Sequence, residues 1–170
     1  MSRKTTISLI LIFILMLTSQ ALADENLESA KKLFSAEKYK EAKNLLKKVT
    51  KEEASNAEAW VLLGDCYTRL GKNKDAIRAY QRGLAIDPEH ADAIFRLGVN
   101  YTLLGNHSNA IEAYKEVIRI QPRHAEAHFR LGISYDSIGR IGDAFEQYKI
   151  LKTLDERLAD ELYEIILGSS

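Results

Sequence analysis

His124 and His128 stand four residues apart with Glu126 between them, so on a helix their imidazoles share one face and offer two nitrogen ligands to a metal ion. Of the side chains in this 170-residue sequence, these come nearest to a chemical site. Zinc proteases place the glutamate directly after the first histidine, whereas here it comes second. No third ligand of suitable type lies nearby in sequence, so packing is the expected role of the pair and no metal or other cofactor is expected. Cys66 is the only cysteine, which excludes an intramolecular disulfide, and as a nucleophile it would need a positioned histidine and an activated thiolate. Gly139-Arg140-Ile141-Gly142 has no strand before it and so lacks the setting of a phosphate cradle. The acidic residues are dispersed with no paired acid and base, and no enzyme is expected.

The elements that carry these residues follow from a repeat. Leu-Gly-x-x-Tyr occurs three times at a spacing of 34, as Leu63-Gly64-x-x-Tyr67, Leu97-Gly98-x-x-Tyr101 and Leu131-Gly132-x-x-Tyr135. Each copy follows an Ala-acid-Ala triplet and precedes a glycine at 71, 105 or 139, then the in-phase pairs Ala76/Tyr80, Ala110/Tyr114 and Ala144/Tyr148. Apolar and small residues lie at helical spacing on both sides of that glycine, which predicts a helix, a tight turn and a second, antiparallel helix. Such units bury their apolar faces by stacking. Gly64, Gly98 and Gly132 fall inside helices, where glycine costs about 1 kcal/mol relative to alanine. Close helix approach, with tyrosine side chains filling the adjoining space, is the expected reason. Cys66 occupies a small inner position held by Asn100 and Ser134 in the next units, and His128 replaces a large packing residue.

The pattern closely resembles the tetratricopeptide repeat family, through Trp60, Leu63, Gly64, Tyr67, Ala76, Tyr80, Gly83 and Pro88 and their counterparts up to Pro122. Glu156 stands where the third clear unit should have its proline, a departure that suits a chain end. The resemblance implies an all-α fold, a right-handed superhelical solenoid of antiparallel helix pairs with a C-terminal capping helix. The expected division is a signal peptide over 1–23, a degenerate first repeat over 24–56, repeats over 57–90, 91–124 and 125–158, and a capping helix over 159–170. Ala30, Leu33, Ala42, Leu46 and Val49 keep the register in the degenerate unit, where Leu-Gly and Pro are missing.

Arg3 and Lys4 lead into an apolar run from Ile7 to Leu17 and then Ala21-Leu22-Ala23, the pattern of a secretory signal cleaved after Ala23. The run is shorter than the roughly 20 residues needed to span a bilayer, so a retained tether is the minor expectation. Without Arg3 and Lys4 the chain has 22 basic and 24 acidic side chains, a balance that favours neither nucleic acid nor an anionic membrane. The lysines between Lys31 and Lys51 alternate with glutamates and read as a solvated surface.

Apolar residues beyond those the repeat requires lie on the first helix of each unit. Val61, Phe95 and Phe129 form one row and Val99 and Ile133 the next, while Phe95, Val99 and Thr102 share a stripe, as do Phe129, Ile133 and Asp136. In the family this stripe faces the concave groove. With Asp65 and the arginines Arg96 and Arg130 it is the expected site for a protein or peptide partner, an apolar floor with charged edges. The opposing expectation is that the phenylalanines merely pack against neighbouring first helices. The family's carboxylate clamp is incomplete here, because its lysine and asparagine positions fall on Leu27 and Lys31, although Arg130 matches a clamp-like arginine. The resemblance thus implies an exported interaction scaffold of the cell envelope. An accessory protein binding metal or a cofactor, as in cytochrome maturation, and a self-associating structural protein are the alternatives.

Overall fold

The computed structural model describes residues 21–168, which run through nine helices with no strand among them. These are α1 (21–35), α2 (Tyr39–Glu52), α3 (Ala57–Arg69), α4 (Asn73–Leu84), α5 (Ala91–Leu103), α6 (His107–Ile120), α7 (Ala125–Ser137), α8 (Ile141–Leu154) and α9 (Glu156–Gly168). Helices adjacent in sequence pack together to form the right-handed solenoid of helix pairs expected from the repeat. The signal-peptide reading of 1–23 lies outside the described residues except for 21–23, which are helical, with Ala23 buried.

Local chemistry sets the helix ends. The first helices α3, α5 and α7 are each capped by the side chain before them: Asn56 accepts from the Ala59 amide at 3.0 Å, His90 from Ala93 at 3.4 Å and His124 from Ala127 at 3.1 Å. The backbone reverses at Gly71, Gly105 and Gly139, where φ is 69°, 70° and 75°. The following amide donates back to the Tyr67, Tyr101 or Tyr135 carbonyl at 2.8–2.9 Å, closing the last turn. In the first pair the same turn is made by Glu37, with φ 59° and a 2.9 Å bond from the Lys38 amide to the Leu33 carbonyl. The degenerate unit keeps the geometry of its neighbours without their glycine.

Stacking depends on the missing side chains of Gly64 and Gly98. A Cβ at Gly64 would lie 2.6 Å from the Tyr80 ring and one at Gly98 2.7 Å from the Tyr114 ring, and both rings are buried. The third notch departs from the tyrosine expectation. Gly132 receives Leu162 of α9, whose Cδ2 would lie 2.5 Å from an added Cβ, while Tyr148 sits half-buried beside Phe145 and Tyr163. The reason is that α9 lies against both α7 and α8 and takes the space. It also starts at Glu156, within the fourth unit's expected range, because Asp155 caps it by accepting from the Leu158 amide at 3.0 Å.

First helices approach one another, α3 against α5 and α7 against α9, whereas no two second helices are in comparable contact among the described residues. The first helices therefore line the concave face and the second helices the convex one.

Two substitutions test these features. Gly98→Ala should destabilise the protein by about 1–3 kcal/mol through overpacking against Tyr114, while Gly142→Ala, in open space, should be neutral or stabilising by up to about 1 kcal/mol. Urea midpoints distinguish them. Glu37→Gly should raise stability by about 0.5–1 kcal/mol by relieving the left-handed conformation, read by the same titration.

Candidate partner-binding groove

The concave face carries a pocket of about 290 Å³ where α1, α3 and α5 meet, lined by Phe34, Asp65, Thr68, Tyr80, Arg96 and Val99 among others. A polar network fixes its shape. The buried Tyr80 hydroxyl donates to Asp65 Oδ1 at 2.6 Å, and the Arg96 guanidinium pairs with Oδ2 from the next repeat. Asn100 Nδ2 donates to Thr68 Oγ1 and to the Arg96 carbonyl, each at 2.9 Å. Three helices, α3, α4 and α5, are thereby tied together at one buried carboxylate. Asp65 is 8 % exposed, and a carboxylate at such a depth requires a charged partner and a donor, which Arg96 and Tyr80 supply. Burial works most strongly against the Arg96 charge, but the bond to Asp65 and the charges of Asp65, Tyr80 and Asp92 together outweigh it and raise the guanidinium's pKa. Burial first, then the charge of Asp65, pushes the Tyr80 phenol far above its usual value.

One repeat further along, Val99 occupies the position of Asp65, and the network shrinks. The Tyr114 hydroxyl lies 3.1 Å from Thr102 Oγ1, burial alone heads the causes that raise its pKa, and Arg130 turns to Glu126 of its own helix at 2.9 Å. The groove thus changes from ion-paired to apolar as it passes from α3 to α5.

The ten candidate residues divide by exposure. Val61, Asp65 and Phe129 are buried, with Phe129 in the apolar cluster that also holds Leu158 and Leu162 of α9. Phe95, Val99, Thr102, Arg130, Ile133 and Asp136 are half-buried and Arg96 is exposed. The Phe95 ring stacks on His124 at 5.1 Å and tilts against Tyr114 at 5.7 Å, so part of it serves the inter-repeat contact. Phe34, Thr68, Tyr80 and Asn100 belong to the groove although the sequence pattern assigned none of them to it. Thr68 shares the row of Thr102, and this was the signal available.

The remaining candidates for chemistry have structural employment. His124 caps α7, and His128 is buried with Nδ1 2.8 Å from Gln147 Oε1 and Nε2 3.0 Å from the Pro122 carbonyl. Among the described residues no three His, Cys, Asp or Glu side chains are grouped to hold a metal. Burial, then the neighbouring Asp65, pushes the Cys66 thiol up to about 12.

Residues 33–97 match a family model for the tetratricopeptide repeat and residues 98–139 one for the TPR repeat. The crystal structure of the MamA protein is 30 % identical, with a TM-score of 0.73 over 84 % of this chain and 73 % of that one. The chain belongs to the tetratricopeptide repeat family. A tetratricopeptide repeat protein from Parabacteroides merdae shares the fold at TM-score 0.76 and 23 % identity, over 86 % of this chain and 60 % of that one. So does the first TPR of Spaghetti (RPAP3), determined bound to the HSP90 peptide SRMEEVD, at TM-score 0.66 and 23 % identity over 69 % and 93 %. No curated protein is significantly similar in sequence. As a tetratricopeptide repeat protein, the chain is a scaffold for protein–protein interaction.

Tyr80→Phe should cost about 1.5–3 kcal/mol, because it leaves a buried carboxylate one donor short. Raised phenol pKa values at Tyr80 and Tyr114 make their stabilising contribution complete below the unfolded value near 10 and lost above it. Thermal stability should therefore fall as pH rises past about 10, less steeply in Tyr80→Phe, as followed by circular dichroism. Native Cys66 should resist thiol reagents at neutral pH and react once the chain is unfolded.

Proposed function

We propose that the protein is a non-enzymatic scaffold exported to the cell envelope, where the concave groove binds a peptide or helical segment of a protein partner. The observation that carries this reading is the half-buried pair Val99 and Ile133, apolar side chains left partly uncovered in the groove at the position where the preceding repeat has the ion-paired Asp65. Beside them stand Phe95 and Thr102, with Arg96 and Arg130 at the edge. Hydrophobic anchors of a partner would bury against this floor, and charged edges would fix its register. The Asp65–Arg96–Tyr80 network holds one end of the groove in place before binding, which lowers the ordering cost of association.

Export rests on the composition of the first 23 residues. Cleavage after Ala23 would leave Leu27, Ala30, Leu33 and Phe34 to hold α1 in the apolar cluster it shares with α2 and α3. Among the described residues no helix is long and apolar enough to cross a membrane. The buried, weakly acidic Cys66 and the engaged histidines support a binding role over catalysis.

Val99→Asp tests the groove with little risk to the fold, because it repeats what Asp65 does one unit earlier and Arg130 stands where Arg96 would. Used as bait in the source cell's envelope fraction, the full chain should capture a partner that Val99→Asp loses by about ten-fold or more, with an unchanged melting temperature. Equal capture by both would contradict the groove. Intact-mass measurement of the protein recovered from its source should give a chain beginning at Asp24, and a full-length mass would contradict cleavage.

A further inference from the structure

A second pocket, of about 430 Å³, lies on the convex face between α2 and α4, with Trp60, Leu63 and Tyr67 of α3 as its floor. Its rim is basic. Lys47 and Lys51 come from α2 and Arg78 and Arg82 from α4, against one carboxylate, Asp75. The same pocket recurs one repeat later at about 460 Å³, with Ile94, Leu97 and Tyr101 as floor. There the counterparts of Arg78 and Arg82, 34 residues on, are Glu112 and Glu116. The fold requires the apolar floor in both places and a basic rim in neither.

The two rims also differ in how their charges are answered. Glu112 and Glu116 pair within their own helix, with Lys115 at 3.3 Å and Arg119 at 2.8 Å. Around the basic pocket Arg78 pairs with Asp75, but Lys47, Lys51 and Arg82 have no ion-pair partner among the described residues. Three unanswered cations around a recessed apolar floor produce a local positive potential that an anionic group would relieve. The floor is ready to receive an apolar side chain. Trp60 and Tyr67 are half-buried, and the indole is held by its Nε1–H, which donates to the Ala54 carbonyl at 2.9 Å.

We propose that this convex pocket is a second binding site, which takes an acidic peptide segment carrying an apolar side chain. The carboxylates meet Lys47, Lys51 and Arg82, and the apolar group seats on Trp60 and Tyr67. A recessed floor below a charged rim suits a single protruding side chain better than a flat lipid surface. The site lies on the face opposite the concave groove and stands or falls independently of it.

Trp60 is the sole tryptophan, so its emission reports directly on the floor. The full chain is titrated at low salt with acetyl-EDEFEDE-amide, acetyl-EDEAEDE-amide and acetyl-KRKFKRK-amide, and with phosphatidylglycerol vesicles. The phenylalanine-bearing acidic peptide should shift the emission saturably, about ten-fold or more tightly than its alanine analogue, and the basic peptide should have no effect. Lys47→Gln/Arg82→Glu gives two of the three unpaired cations the residues that stand 34 positions on, Gln81 and Glu116, so it should keep its melting temperature while weakening the acidic peptide by about ten-fold. No saturable response to acetyl-EDEFEDE-amide, an equal response in the double variant, or a response confined to the vesicles would overturn the proposal.

Discussion

A tyrosine ring seated where a glycine lacks its side chain is the contact on which the solenoid depends. At Gly64 and Gly98 the ring of the paired helix comes closer than any β-carbon would allow, and this sets how near the two helices lie. Because the contact recurs every 34 residues, each pair presents the next with the same surface, and the stack propagates. Leu162 performs the same function at Gly132, so that α9 ends the array by filling the last notch instead of opening another. The outward face of α9 exposes Arg157, Asp160, Glu161 and Glu164.

The tyrosines that fill the notches also reach the concave face. Tyr80 ends at Asp65 and Tyr114 at Thr102, so the residues that set helix spacing supply hydroxyls to the groove. In one repeat this produces an ion pair on a buried carboxylate that binds three helices, and in the next a half-open apolar patch. A charged network that is fully satisfied holds geometry, whereas uncovered apolar area supplies affinity. The groove has one of each side by side. On the convex face the same floor bears a basic rim in one repeat and an acidic one in the next, so repetition of the core leaves each surface free to differ.

Much of the fold was legible because the packing is periodic. Leu63, Gly64 and Tyr67 and their counterparts are dictated by contacts that each repeat must make, so spacing revealed the helices and their pairing. Features resting on backbone conformation alone left a fainter trace. Glu37 holds the turn that glycine makes elsewhere, and nothing in its side chain announces it. His124 looked like a possible ligand, but its ring nitrogen, like that of His90 one repeat earlier, accepts from an amide three residues on and is a cap. Leu162 fills a notch from the row of Trp60, Ile94 and His128 and not from that of Tyr80 and Tyr114, so the spacing gave no sign of this role. The groove stripe was legible as a row, since helical spacing places Phe95, Val99 and Thr102 together. How much of each side chain stays uncovered depends on the next helix over, and this is why Phe129 lies in the core beneath α9 while Ile133 remains half-open.

Site-specific photo-crosslinking in the native host tests the concave-groove account most directly, with the photoreactive residue placed at position 99 in one protein and at the exposed position 150 of α8 in another. The account predicts a covalent adduct with a discrete protein from position 99 and none from position 150. An adduct from position 150, with position 99 silent, would contradict it.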